Sequence, residues 1–441
     1  MIGYYLHLAL RTLRRNIILT ALIIAAVGVG IGAYMTVLTV LIAMSGNPIP
    51  DKSDVLFVPQ IDIWGPNTRP KGMSGQDHLP PQFTYKDVTA LMQAHMAPHQ
   101  AAMYPVGLDV TPPSGIPYSQ AGRATYRDFF AMFEVPFKSG AAWSVQDETD
   151  HADVVVLGKT LAGRLFPHRS AIGQTVSLGG RSYRVTGVLD DWSPTPRFYD
   201  VVNGNAFNAV EDFFIPFTTA IGHQMQTNGN YNCAVLPASG WAGKLSSECI
   251  WFGFWAELPD AAAVRNYKQY VMNYAAEQQR LGRFHWPPLV QLSNVHQWLA
   301  LMHVIPDEVR VNSLVAFGFL TVCLVNAVGL MLARFSARAN DFGVRRALGA
   351  TRTDIFLQCL TETAVVGVLG GILGLALTAL GLAANRASLG YLAALVGGLM
   401  RLDPKVMALT VALAVGATLC SGLYPTWRAT RVQPALQLKA Q

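Results

Sequence analysis

Four stretches of this chain stay apolar for longer than a folded water-soluble core ordinarily requires. The first runs from Ile17 to Met44, and the others cover about Asn312–Ala333, Ile355–Ala384 and Val406–Leu423. A helix crossing a bilayer needs about 20 apolar residues, so the pattern predicts four membrane spans. A secretory leader has an apolar core of only about 7–15 residues before a small-residue cleavage site. The first stretch is therefore expected to be retained and to serve as the export signal.

From about Ser45 to Asp307 the pattern changes to one rich in proline, glycine, aromatics and ordinary charges. Short β-type runs appear at Asp54–Val58, Asp153–Leu157, Thr175–Leu178 and Tyr183–Leu189. Gly179–Gly180 between the last two is a hairpin signal. A water-soluble α+β domain is expected here, inserted between the first and second membrane helices and large enough to bury its own core. The expected division is a tail 1–16, span 17–44, domain with stalk 45–308, span 309–333, loop 334–354, span 355–384, connection 385–405, span 406–425 and tail 426–441. Leu392–Met400 is apolar but too short to cross, which fits an interfacial piece.

Composition strengthens this reading. Hydrophobic residues make up 51% and charged residues 14%, against about a quarter charged in an ordinary soluble chain. The net charge of +6 is concentrated at span ends. Arg11, Arg14 and Arg15 precede the first span, and Arg334, Arg338, Arg345, Arg346 and Arg352 lie between the second and third. Arg428, Arg431 and Lys439 follow the last, while the remaining connection carries only Arg386, Arg401 and Lys405 against Asp403. Positive charge marks cytoplasmic loops. The expected product is a multi-pass membrane protein with both termini cytoplasmic and its large domain on the far side. No nucleic-acid-binding spacing accompanies the arginines, so nucleic acid is not an expected partner.

Cys233 and Cys249 fall in the exported domain, whereas Cys323, Cys359 and Cys420 lie in or beside the spans. A pair in an oxidising compartment predicts a disulfide.

Several motifs are weaker than they look. Val154–Leu157 followed by Gly158-Lys159-Thr160 imitates a strand entering a phosphate loop, but the required first glycine is replaced by Asp153. Ser74-Gly-Gln76 is no ABC signature. His95 and His99 have a metal-ligand spacing, yet Pro98 disfavours a regular helix there. His296 and His303 stand seven apart and offer another shared face. No carboxylate or cysteine completes either set, so no metal site is expected. No nucleophile elbow, HExxH or SxxK appears, so no catalytic residues are expected. A membrane-anchored hydrolase or sensor is the alternative class. Gly28/Gly32, Gly367/Gly371 and Gly370/Gly374 are spaced for close helix approach, within one chain or between two. Asn326 is a candidate for an interhelical hydrogen bond, and Glu362 is expected to snorkel from the rim of its span.

Two segments carry more specific information. Between the second and third spans, Gly343-Val-Arg345-Arg346-Ala347-Leu348-Gly349-Ala350-Thr351-Arg352 forms a juxtamembrane turn with a short amphipathic helix. Thr351 and Asp354 are placed to cap the helix that follows. The fourth span closes on Gly422-Leu423-Tyr424-Pro425-Thr-Trp-Arg428. Both resemble the FtsX/MacB-type permease family of ABC transporters, whose first motif usually reads Glu-Arg-x-x-Glu-Ile-Gly-Ile-Arg-x-Ala-Leu-Gly-Ala. Ala337 and Asp341 stand where glutamates are common. In the soluble domain, Thr125–Phe133, Val154–Phe166, Ile172–Val176 and Val185–Leu189 resemble the family's periplasmic domain in their order.

The resemblance implies that residues 345–352 couple to a separate ABC ATPase, which binds the ATP and magnesium. This chain itself would need no cofactor and hydrolyse nothing. It further implies an inner-membrane location with the large domain in the periplasm, a second permease copy and a stalk at about Val295–Val311. Through that stalk, ATP-driven movement would reach the periplasmic domain and squeeze a substrate toward an adaptor and outer-membrane duct. A regulatory permease that moves a periplasmic partner, or a lipoprotein-releasing one, is the alternative.

Overall fold

A computed structural model of the chain describes residues 2–69, 79–112, 115–388 and 404–430. Ser74–Gln76, Leu392–Met400, Arg431 and Lys439 lie outside them, as does most of the connection at 385–405. The chain divides into two compact units, Gly46–Val304 and the combined segments Met1–Ser45 and Ile305–Gln441.

Gly46–Val304 is built on a ten-stranded mixed sheet. Its strands are β1 (Leu56–Ile61), β2 (His99–Thr111), β3 (Tyr118–Thr125), β4 (Phe137–Gly140) and β5 (Val154–Leu157). They continue with β6 (Thr175–Leu178), β7 (Arg181–Leu189), β8 (Phe213–Pro216), β9 (Gly253–Glu257) and β10 (Val290–Asn294). The order is β10-β1-β9-β2-β3-β8-β5-β7-β4, with β6 pairing β2 and β7. β3 runs parallel to β8, and β5 to β7.

Helices and loops cover both faces of this sheet, which explains the unbroken Val-Val-Val-Leu of β5. Successive side chains of a strand point to opposite faces. Val155 and Leu157 join one core with Tyr104, Phe213 and Trp251, while Val154 and Val156 join another with Phe129, Phe214 and Trp255. The glycine hairpin forms, with Leu178 opposite Arg181 and both Gly179 and Gly180 at positive φ. That is the backbone a two-residue hairpin turn requires.

Strand β1 starts two residues later than expected, at Leu56. Backbone bonds from Val55 and Leu56 to the Lys52 carbonyl hold the preceding residues in a turn instead. The expected stalk is also not one helix. Val295–Leu301 is a short helix capped by an Asn294–Gln297 box, and the next helix begins only at Asp307 after Pro306. Between them His303 has φ 48°, and Pro306 has no N–H to continue a ladder. His296 and His303 therefore share no helix face. Neither do His95 and His99, since His95 ends Tyr85–Ala94 in the left-handed region and His99 opens β2.

Cys233 and Cys249 are joined by a disulfide. A closed loop of about 15 residues is associated with roughly 3 kcal/mol by the chain-entropy relation. The double variant Cys233→Ser/Cys249→Ser is expected to lose about that much in denaturant unfolding of Gly46–Val304. A midpoint unchanged from the oxidised wild type would show that the loop needs no staple.

Among the described residues, the other unit holds four transmembrane helices: Ile17–Met44, Asp307–Ser336, Arg352–Ser388 and Pro404–Thr430. The glycine pairs pack within the chain. A Cβ on Gly32 would lie 2.7 Å from the Leu377 Cβ, and one on Gly370 would lie 2.8 Å from Val27. On the other side of the third span, one on Gly371 would lie 3.0 Å from Ala414. The third span thus uses one glycine face against the first span and another against the fourth. Close backbone approach of this kind is what small residues permit in lipid. Asn326 instead lies on the exposed side of the second span.

Candidate coupling site

The two motif segments gather at the arginine-rich end of the spans. The second span ends at Ser336, and a rim helix, Ala339–Ala347, turns the chain toward the third span. Phe335, Phe342, Ile355 and Cys359 form a small core beneath the turn, with Ala350 packed against it.

The turn closes by backbone bonds from Leu348 to Val344, Gly349 to Arg346 and Ala350 to Arg345, at 3.0, 3.2 and 3.1 Å. Gly349 sits at φ +102° with nothing within 4 Å of the place a Cβ would take. Glycine ends helices in this way because a side chain is strained there. Thr351 and Asp354 then cap the third span reciprocally. The Asp354 N–H donates to Thr351 Oγ1 at 3.2 Å, and the Thr351 N–H donates to Asp354 Oδ2 at 2.9 Å. This arrangement leaves Val344, Ala347, Leu348, Thr351 and Arg352 exposed, Leu348 at 83%.

Behind this edge lies a network that reading the residues one at a time missed. Arg345 Nη1 donates to Gln358 Oε1 at 2.7 Å, and Gln358 Nε2 donates to Glu362 Oε1 at 3.2 Å. Arg338 Nη1 donates to both Glu362 oxygens at 2.8 and 3.1 Å, and Arg334 approaches the same carboxylate at 3.6 Å. Glu362 does not snorkel. It is 1% exposed, because Arg334 in the last turn of the second span and Arg338 at the cap of the rim helix converge on it. Arg334/Arg338 and Gln358/Glu362 are both i,i+4 pairs, and that spacing was the available signal.

The leading residues 1–16, read as a tail, form the helix Ile2–Arg15. Its Tyr5 hydroxyl donates to Asp354 at 3.1 Å, and Arg15 pairs with Asp341 at 3.2 Å. Asp341, one of the departures from the family pattern, therefore has a partner within the chain. Arg346 also has partners in the folded chain.

In the closing motif, Gly422 faces the third span, where a Cβ would come within 2.4 Å of Thr363, the residue after Glu362. Pro425 lies buried inside the last helix without ending it. Leu423, Tyr424, Trp427 and Arg428 are exposed, an aromatic and basic set suited to a membrane–water boundary.

Comparison with known proteins fits this architecture. Residues 20–265 match the MacB-like periplasmic core domain and residues 313–434 match the FtsX-like permease C-terminal domain. A macrolide export ATP-binding/permease protein MacB from Azoarcus sp. (strain BH72) is 26% identical, covering 98% of this chain and 59% of that protein. The MacB of Rhodospirillum rubrum is 27% identical, covering 100% of this chain and 60% of its own length. The pyoverdine export protein PvdT of Pseudomonas savastanoi pv. phaseolicola is 24% identical over 74% of this chain and 45% of that protein. This chain thus spans about three fifths of the length of the MacB relatives it matches end to end. Among solved structures, the periplasmic region of MacB from Actinobacillus actinomycetemcomitans aligns at a TM-score of 0.35 with 13% identity, covering 56% of this chain and 92% of that one. With a MacB-like periplasmic core inserted ahead of an FtsX-like permease domain, the chain belongs to the FtsX/MacB-type permease family of ABC transporters.

Proposed function

We propose that this chain is the permease of an ABC export machine, driven through its rim helix by an ABC ATPase. The observation that carries this reading is the exposed Val344–Leu348 edge, backed by the Arg345–Gln358–Glu362 relay into two spans. An apolar edge on a helix held from behind by buried ion pairs transmits a push without collapsing. The ATPase would supply ATP and magnesium chemistry, and this chain would convert its closure into movement of the spans. The arginine-rich rim is then cytoplasmic, and Gly46–Val304 lies on the opposite side. A disulfide in that unit suits an oxidising compartment.

A second permease copy completes the machine in this reading. Leu314, Val315, Val322, Val325 and Asn326 all face outward on the second span, and an amide within a span calls for a partner. An adaptor and outer-membrane duct would receive the cargo from the exported unit. The names of the relatives make a macrolide or pyoverdine the first cargoes to try.

Leu348→Asp tests the docking role. Its exposure predicts normal membrane insertion and an unchanged melting temperature. ATPase co-purifying with the variant from membranes is expected to fall by about tenfold or more, the order expected when a charge is buried in an apolar contact. ATPase recovered at the wild-type level would overturn the assignment.

A further inference from the structure

Gly46–Val304 contains a cavity of about 520 Å³ that neither the coupling scheme nor the matched domains assign. One wall is the loop holding Ile63, Trp64 and Pro66, and the other is the loop from Asn232 to Ala238. The two loops meet where a Cβ on Gly65 would lie 3.4 Å from Ala234. Cavities of roughly 300–1,000 Å³ with apolar walls and a few fixed polar groups are the usual form of small-molecule sites.

The outer wall is fastened. The Cys233–Cys249 disulfide ties it to the segment leading into β9, and next to that bond Asn232 and Ile250 exchange backbone hydrogen bonds of 3.1 and 2.8 Å. Between these fixings and the solvent stand Val235 and Leu236, 80% and 89% exposed. Apolar side chains grouped at the mouth of a cavity mark a surface that something covers.

Charge at the floor narrows what that something is. Glu248 and Arg283 both line the cavity, and they are already matched. Arg283 Nη2 lies 3.0 Å from Glu248 Oε2, Lys86 Nζ lies 2.8 Å from Glu248 Oε1, and Arg283 also pairs with Asp87 at 2.7 Å. Burial would raise the Glu248 carboxyl, but Arg283 and Lys86 bring it below its ordinary value, so it remains an ionised acceptor. No uncompensated charge is offered to a ligand. A carboxylate has about four acceptor sites, which leaves Glu248 able to take a further hydroxyl or N–H.

We infer that this cavity binds a neutral, largely apolar small molecule, its body between the Ile63–Pro66 and Val235–Pro237 walls and a donor group toward Glu248. Such binding is independent of whether the spans serve export.

The test uses the full chain in amphipol and N-phenyl-1-naphthylamine, a neutral aromatic probe with one N–H donor. Fluorescence titration should show a saturable component of one probe per chain above the linear uptake of amphipol alone. Leu236→Asp and Ala234→Trp change exposed mouth positions, one by adding charge and one by filling space. Each is expected to weaken the saturable component by about tenfold or more, with the circular dichroism and melting curve of wild type. Saturation retained in both variants would overturn the site, and so would a wild type that shows only linear uptake. Displacement of the probe solely by peptides, and by no small apolar molecule, would assign the groove to a protein partner and equally overturn it.

Discussion

Glu362→Ala is expected to cost the membrane unit on the order of 3–5 kcal/mol, the range seen when one partner of a buried ion pair is removed. The reason is arithmetic at the site. Glu362 is 1% exposed and meets Arg338 at 2.8 Å and Arg334 at 3.6 Å. Arg334 is itself 3% exposed. Without the carboxylate, two guanidinium groups one helical turn apart face each other across a space that water reaches poorly. Gln358 loses its acceptor as well, so its link to Arg345 is no longer fixed at both ends. Glu362→Gln keeps the shape and one acceptor, and should fall between alanine and wild type. Thermal unfolding in detergent, followed by loss of a monodisperse elution peak, measures the effect. A Glu362→Ala protein within about 1 kcal/mol of wild type, the ordinary worth of an exposed pair, would show that solvent reaches the arginines and that they do not depend on this carboxylate.

This network also shows where reading the sequence stopped. Each member had a sufficient local explanation. Arg334 and Arg338 fitted the positive-inside rule, and Glu362 fitted snorkelling from a span rim. Their common destination depends on the rim helix turning the chain so that the start of the third span meets the end of the second, which joins residues 24 apart. The spans themselves were legible because apolar length alone decides them. The hairpin at Gly179–Gly180 was legible because only a glycine pair tolerates its backbone so freely. Strands β8 and β9 were harder, since Phe213–Pro216 and Gly253–Glu257 are short and aromatic and are fixed by cores assembled from distant strands. Residues 1–16, expected to be a tail, form the helix Ile2–Arg15. Ala9 and Leu13, one turn apart and both buried, carry its packing face.

The break in the stalk at Met302–Pro306 changes how movement would leave the spans. A continuous helix would act as a rigid rod, whereas here Val295–Leu301 and Asp307–Ser336 are separate helices. In the proposed scheme, a push passed along this path would cross five residues that include a left-handed histidine and a proline. Two covalent connections join the units, this segment and the Ser45–Gly46 link after the first span.

The second large effect lies inside Gly46–Val304, at Arg123. This side chain stands on β3, only 1% exposed, between Asp200 and Glu211, which are 5% and 4% exposed. Its Nε donates to Glu211 at 3.0 Å, and its terminal nitrogen pairs with both carboxylates. Arg197 reaches Glu211 at 3.1 Å, and the Tyr199 hydroxyl donates to Glu211 at 2.8 Å. Two arginines thus balance two carboxylates, and the set ties β3 to the long crossover that leads into β8. Arg123→Met removes one cation and leaves a buried net negative charge. A loss on the order of 3–5 kcal/mol is expected, with Arg123→Lys also impaired because an ammonium cannot bridge two carboxylates as a guanidinium does. Burial alone would raise the Asp200 carboxyl, but Arg123 and Arg197 overcome it and hold it below its ordinary value. A depressed carboxyl contributes stability that is complete above its unfolded pKa, about 4, and is lost as pH falls through the lower folded value. The gap between wild type and Arg123→Met in denaturant unfolding should therefore be widest above about pH 5 and shrink toward pH 2. A gap that stayed constant over that range would mean that Arg123 acts through packing of its aliphatic stem and not through these carboxylates.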